Sequence, residues 1–161
     1  MQACCFTGHR RIEHRHLGKI DDLVMRAVAF AYEAGCRRFY VGGAIGFDTV
    51  AAKQVILFRI SHPDVSLVLF LPCLDQDSGW SMSQKDAYEY ILSNADEVKY
   101  ISENYDKTCM KRRNQSMAEE CDIMIAYVSR DYSGSAQTMR MAVSLGKEVY
   151  NLYPNLEKGS I

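Results

Sequence analysis

The stretch Arg38-Phe39-Tyr40-Val41-Gly42-Gly43-Ala44-Ile45-Gly46-Phe47-Asp48 decides the architecture. A short β-rich run ends in a turn holding three glycines, and Asp48 then opens a helical pattern; a strand gives way to a helix in this manner at the edge of an α/β sheet. Glycines at such a place permit positive φ and leave backbone N–H groups bare at a helix N-terminus, where the helix dipole favours an anion. The pattern is not the dinucleotide fingerprint. No G-x-G-x-x-G follows the first strand, and no G-x-x-x-x-G-K-[ST] occurs in the chain. Asp48 reads first as a helix N-cap, with a ribose hydroxyl as the sharper alternative partner.

Outward from this turn the same punctuation repeats. Strands are expected at Gln2–Thr7, Arg38–Val41, Val65–Leu71, Glu97–Ile101, Asp122–Val128 and Glu148–Leu152. The central ones are apolar runs, as in strands covered on both faces. Helices are expected at Ile20–Ala34, Asp48–Ser61, Met82–Ala95, Thr108–Glu120 and Ser135–Leu145, with Gly35 and Gly146 as stops for the first and last. The alternation predicts a single Rossmann-like three-layer α/β domain over residues 1–161, with a mainly parallel sheet flanked by helices. Right-handed crossovers put its strand-to-helix loops on one edge, where such sheets bind ligands.

Composition narrows the function. With 48% hydrophobic and 24% charged residues in 161, the chain can bury a core and is not disordered. Its longest apolar run, Val65 to Leu71, is far short of the roughly 20 residues that span a bilayer, and no signal-peptide layout opens the sequence. A cytoplasmic protein without membrane contact is expected. The formal net charge of −1 argues against a nucleic-acid coat protein. None of the six cysteines forms a Cys-x-x-Cys pair, and His14-Arg15-His16 has no cysteine nearby, so free buried thiols and no metal site are expected.

Three further loops share the chemistry of the glycine turn. Thr7-Gly8-His9-Arg10-Arg11 follows the first strand; it reads as an anion site, in which Gly8 allows close approach, Thr7 can donate a hydroxyl and Arg10 can clamp a phosphate through two parallel hydrogen bonds, or as a tight turn followed by a solvated basic segment. Ser129-Arg130-Asp131-Tyr132-Ser133-Gly134-Ser135-Ala136-Gln137 follows the fifth strand; it reads as a phosphate cradle at a helix N-terminus or as a serine-capped helix. Gln76 and Trp80 lie in the loop after the third strand, and Trp80 reads either as a base-stacking surface or as an anchor packed on the domain. On the fourth helix, Arg113 and Asn114 share the apolar stripe of Met110, Met117 and Cys121 and so point inward, whereas Lys107, Lys111 and Arg112 fall outside it as surface. An inward Arg needs a partner, either a ligand phosphate or a carboxylate of the protein. No spacing identifies a catalytic residue.

These same places carry a resemblance over nearly the whole chain. Thr7-Gly8-His9-Arg10, Gly42-Gly43-Ala44, Gly46-Phe47-Asp48, Pro72, Gln76, Trp80, Tyr105, Arg113-Asn114 with Met117 and Asp122, and Ser133-Gly134-Ser135 occur in an order that resembles the SLOG superfamily. This is the Rossmann-like group of DprA and the LOG proteins, and the chain is most similar to its YpsA-like branch. The resemblance implies a nucleotide or nucleotide-derived ligand at the glycine-rich edge, serving a sensing or regulatory role, and a self-associating chain, a homodimer. It departs from LOG-type phosphoribohydrolases, whose P-G-G-x-G-T-x-x-E glutamate has no counterpart in Ser133-Gly134-Ser135-Ala136-Gln137-Thr138.

The expected ligand site comprises Thr7, Gly8, Arg10, Gly42, Gly43, Ala44, Gly46, Asp48, Arg113, Asn114, Ser133, Gly134 and Ser135, with Gln76, Trp80 and Tyr132 over the base. The alternative is a nucleotide-processing enzyme, such as a phosphoribohydrolase or N-glycosidase, with Asp48 or Arg113 as its active group. DprA-like binding of single-stranded DNA through Arg10, Arg11 and Arg15 is disfavoured by the charge balance and the lack of interleaved aromatics.

Overall fold

A computed structural model describes residues 2–129 and 132–158, so Arg130 and Asp131 of the serine-rich loop lie outside the described residues. In chain order the elements are β1 (Gln2–Gly8), a 3₁₀ turn (His14–His16), α1 (Ile20–Glu33), β2 (Cys36–Val41), α2 (Phe47–Ser61), β3 (Ser66–Leu71) and α3 (Met82–Asn94). They continue as β4 (Glu97–Tyr100), α4 (Cys109–Glu120), β5 (Ile123–Tyr127), α5 (Gly134–Ser144), β6 (Glu148–Asn151) and α6 (Tyr153–Glu157). The strands form one parallel sheet in the order β4-β3-β2-β1-β5-β6.

Alternation along each strand divides the core. Phe6, Phe39, Leu67 and Leu69 face α1, α2 and α3, whose Val24, Ala31, Val55 and Ile91 complete the larger cluster. Their neighbours Cys5, Tyr40, Val68 and Phe70 point the other way, against Met117, Ala118 and Cys121 at α4 and Ala142 of α5. Both faces are thus covered, as the apolar strands require. The chain steps outward from β1 to β4 and then crosses to β5 on the far side of β1, so the strand order reverses between β1 and β5. A crevice opens at such a reversal, outside the carboxyl ends of the strands. All six cysteines are buried free thiols.

Two short elements were not legible in the periodicity. The 3₁₀ turn seats His16, fully buried, with its Nδ1 2.6 Å from the Tyr127 hydroxyl and its Nε2 3.2 Å from Glu157 Oε2. The helix α6 is only five residues long, yet it buries Leu156 in the larger cluster and returns Glu157 to Arg15.

The glycine turn is packed directly on the loop after β1. Phe47 N–H donates to the His9 carbonyl at 3.1 Å, and a Cβ on Gly46 would lie 2.4 Å from the Arg10 carbonyl oxygen. Gly46 also has φ of 82°, a conformation that side chains resist. Gly46→Ala is therefore expected to destabilise the fold by about 3 kcal/mol, from backbone strain and overlap together. Urea unfolding measures this, and an unchanged midpoint would contradict the close stacking of the two loops.

Candidate functional site

A cavity of about 400 Å³ occupies the crevice at the β1/β5 reversal. Thr7, Gly8, His9, Arg10 and Arg11 form one wall at the end of β1, and Ala44 and Asp48 form the next at the start of α2. The α4 side chains Met110, Arg113, Asn114 and Met117 also line it, together with Gln76 and with Ser133, Gly134 and Ser135 at the start of α5. Four strand-to-helix connections converge here because every crossover is parallel and leaves its loop on the same edge.

The polar centre of the cavity is buried. Arg113 is 6% exposed, its Nη1 donating to the carbonyls of Gly42 at 2.5 Å and Phe70 at 3.4 Å, and its Nε donating to Asn114 Oδ1 at 2.7 Å. The carbonyls come from the ends of two neighbouring strands, so one guanidinium ties β2, β3 and α4 together. Gly42 is required by this arrangement, since a Cβ there would lie 2.6 Å from Arg113 Nη1 and 2.9 Å from Asp48 Oδ2. The inward direction expected for Arg113 and Asn114 is thus present, and their partners are the protein's own carbonyls and amide.

Asp48 does not cap α2. The N-cap position belongs to Gly46, and the Asp48 carboxylate instead accepts the Ala44 N–H at 3.1 Å across the glycine turn. Burial raises its pKa from 3.8 to about 6, against the opposing pull of Arg113, the Ala44 N–H and Arg10. Burial likewise lowers the pKa of Arg113, with Asp48 resisting. A carboxyl group raised in the folded state contributes stability that is fully present below its unfolded value and is lost as pH rises through about 6. For Asp48 this amounts to about 3 kcal/mol. Asp48→Asn is expected to flatten this loss of stability between about pH 4 and pH 7, as read from urea unfolding at each pH. An unaltered pH profile would contradict it.

The mouth of the cavity is cationic. Arg10 and Arg11 are exposed and make no hydrogen bond or ion pair to the described residues. In the same lining, the α5 N-terminus is capped by Ser133, whose hydroxyl accepts the Ala136 N–H at 3.0 Å, and a Cβ on Gly134 would meet no described atom within 4 Å. Ser133, Gly134 and Ser135 thus line the cavity at the positive end of the helix dipole. Of the two readings of this loop, the serine cap is the one observed.

The remaining expected residues are distributed more widely. Gln76 reaches the cavity while donating to the Gly43 carbonyl at 3.2 Å and to the Tyr88 hydroxyl at 3.1 Å. Trp80 packs edge-on against Tyr88, with centroids 5.1 Å apart, and Tyr132 is 95% exposed; neither lines the cavity. Gly43 and Gly46 shape the turn from behind. Sequence reasoning gave no role to His9, whose buried ring lies in the wall and accepts the Ser129 N–H at 2.8 Å through Nε2, latching the β1 loop to the β5 loop. Its place between Gly8 and Arg10 was the available signal. Arg15, grouped with Arg10 and Arg11 in the sequence, is instead engaged by Glu13 and Glu157. Among the described residues no three His, Cys, Asp or Glu side chains gather as metal ligands, and no helix is long and apolar enough to cross a membrane.

A family model described as the YspA SLOG family matches residues 4–153. A UPF0398 protein of Bacillus thuringiensis is 26% identical over 95% of this chain and 88% of its own length, and one from Bacillus anthracis matches equally. Among solved structures, DNA processing protein A of Streptococcus pneumoniae superposes with a TM-score of 0.64 at 18% identity, over 92% of this chain and 49% of that one. DNA processing protein A of Helicobacter pylori, studied for its binding of single-stranded DNA, gives 0.65 at 18% identity, over 92% and 63%. These likenesses establish the fold, and the chain spans about half the length of the first of the two.

Proposed function

The chain belongs to the YspA SLOG family, and from that membership we propose that the cavity at the β1/β5 reversal binds a nucleotide or nucleotide-derived ligand in a sensing or regulatory role. The observation that carries this reading is that two exposed arginines without an ion pair among the described residues, Arg10 and Arg11, line one cavity together with the N-terminus of α5. A phosphate or diphosphate fits between them, because the arginines supply forked donors and the helix supplies backbone N–H groups and its dipole. Behind the phosphates, Thr7 and Asn114 offer polar groups, and Met110 offers an apolar surface for a ribose or base. The test is a thermal-shift screen with AMP, ADP, ATP, GTP, NAD, ADP-ribose and cyclic nucleotides, each incubation then assayed for release of base or ribose phosphate. A ligand bound only by the folded state raises the melting temperature; a shift with the ligand recovered intact supports the proposal, and no shift with any of them overturns it.

One observation favours the enzymatic reading. Asp48, raised to about 6, lies in the range where a carboxyl group exchanges protons near neutral pH, and it sits in the same cavity. Turnover in the same incubations, abolished by Asp48→Asn with binding retained, would make the protein a nucleotide-processing enzyme.

A further inference from the structure

We propose that a second cavity, on the outer side of the glycine turn, binds a free α-amino acid as its zwitterion. This cavity measures about 350 Å³ and opens between the first turns of α2 and α3 beside the start of α1. Gln54 lines it and is only 9% exposed, yet its amide makes no hydrogen bond to any described residue. Among the described residues no fully enclosed side-chain nitrogen or oxygen lacks a partner, so the Gln54 amide is not sealed in the core and opens into the cavity. A buried primary amide left without a partner costs free energy, and one facing a cavity offers both donors and an acceptor to a polar ligand.

The rim supplies two opposite charges. Asp21, in the first turn of α1, and Lys53, on α2, are both exposed, and neither makes an ion pair among the described residues. They line the same cavity without pairing. An ammonium group answers Asp21 and a carboxylate answers Lys53, and the Gln54 amide in the same cavity offers a third polar contact. Ile45, Val50 and Ala87 give the side chain an apolar floor. A nucleobase would leave both charges unanswered, and an inorganic anion would meet the Asp21 carboxylate; a small molecule carrying both signs satisfies all three groups. Thr49, on the same wall, donates to the Ala44 carbonyl at 3.2 Å, so the cavity backs onto the turn that holds Asp48.

The site is separate from the nucleotide cleft, and either reading can fail without the other. The test titrates a panel of common L-amino acids into the full ¹⁵N-labelled chain and follows the amide signals of Gly46, Val50, Gln54 and Ala87. At least one amino acid is expected to move these signals saturably, while its N-acetyl and carboxamide derivatives bind about tenfold more weakly or worse, each having lost one charge-assisted contact. Asp21→Asn and Lys53→Glu, both at exposed positions, are expected to weaken binding by a similar factor with the chain still cooperatively folded. Gln54→Leu is expected to abolish saturation. The proposal is overturned if no amino acid moves these signals, or if binding is indifferent to both charge variants and to both blocked derivatives.

Discussion

Arg113→Met is expected to lower the melting temperature by on the order of 10 °C and to abolish nucleotide binding. Arg113 is 6% exposed, and its guanidinium donates to the Gly42 carbonyl, the Phe70 carbonyl and the Asn114 amide oxygen. Methionine fills a similar volume but leaves two backbone acceptors without their donor and Asp48 without its nearest buried cation. Breaking a buried charge arrangement from one side costs about 3–5 kcal/mol. For a chain of this size each kcal/mol lowers the melting temperature by about 2–4 °C. Arg113→Lys is expected to recover little, because a single ammonium cannot reproduce the forked contacts. A melting temperature for Arg113→Met within about 2 °C of the wild-type value would show that the guanidinium does not tie β2, β3 and α4 together.

Charge reversal at the mouth acts differently. Arg10→Glu is expected to weaken nucleotide binding by about a hundredfold or more, since it removes a charge-assisted contact worth about 1.5–3 kcal/mol and adds repulsion toward the phosphate. The fold should be little affected, because Arg10 is exposed and makes no hydrogen bond or ion pair to the described residues, acting on Asp48 only through its charge. Comparing the two variants separates ligand recognition from scaffold: Arg113→Met loses both stability and binding, Arg10→Glu binding alone. Unchanged affinity in Arg10→Glu would remove the phosphate clamp from the account.

The fold was legible because its cues are local. Apolar runs such as Leu67–Leu71 are covered on both faces, and the stripe on α1 ends at Gly35, so the order of elements and nearly every boundary could be read from periodicity alone. The β2 start was read at Arg38, two residues late, because Cys36 and Arg37 follow directly on the Gly35 stop; in the sheet Cys36 is buried and Arg37 and Arg38 pair with Asp64 and Glu97. Strand order was not legible, since nothing local says that β5 crosses back to lie beside β1. Short elements escaped for a related reason: α6 and the His14–His16 turn exist through Tyr127, Glu157 and Leu156, contacts separated by more than a hundred residues from His16.

Site chemistry was partly legible. The helical offset between Met110, Arg113 and Met117 pointed Arg113 inward, and the glycines marked a close approach, but what approaches Gly42 is the guanidinium itself. Asp48 was read as a cap by its position at the head of α2, whereas its carboxylate turns back to the Ala44 N–H. His9 carried no periodic signal because its role depends on Ser129, brought beside it only by pairing of β1 with β5.

The measurement that bears most directly on the central claim is a titration of ADP and ADP-ribose into the ¹⁵N-labelled chain, following the amides of Gly8, Arg10, Gly134 and Ser135. The account predicts saturable shifts at both loops together, lost in Arg10→Glu, with the amides of β4 and α6 unmoved. Shifts confined to one loop, or none with either nucleotide, would contradict a phosphate held between the β1 turn and the α5 N-terminus.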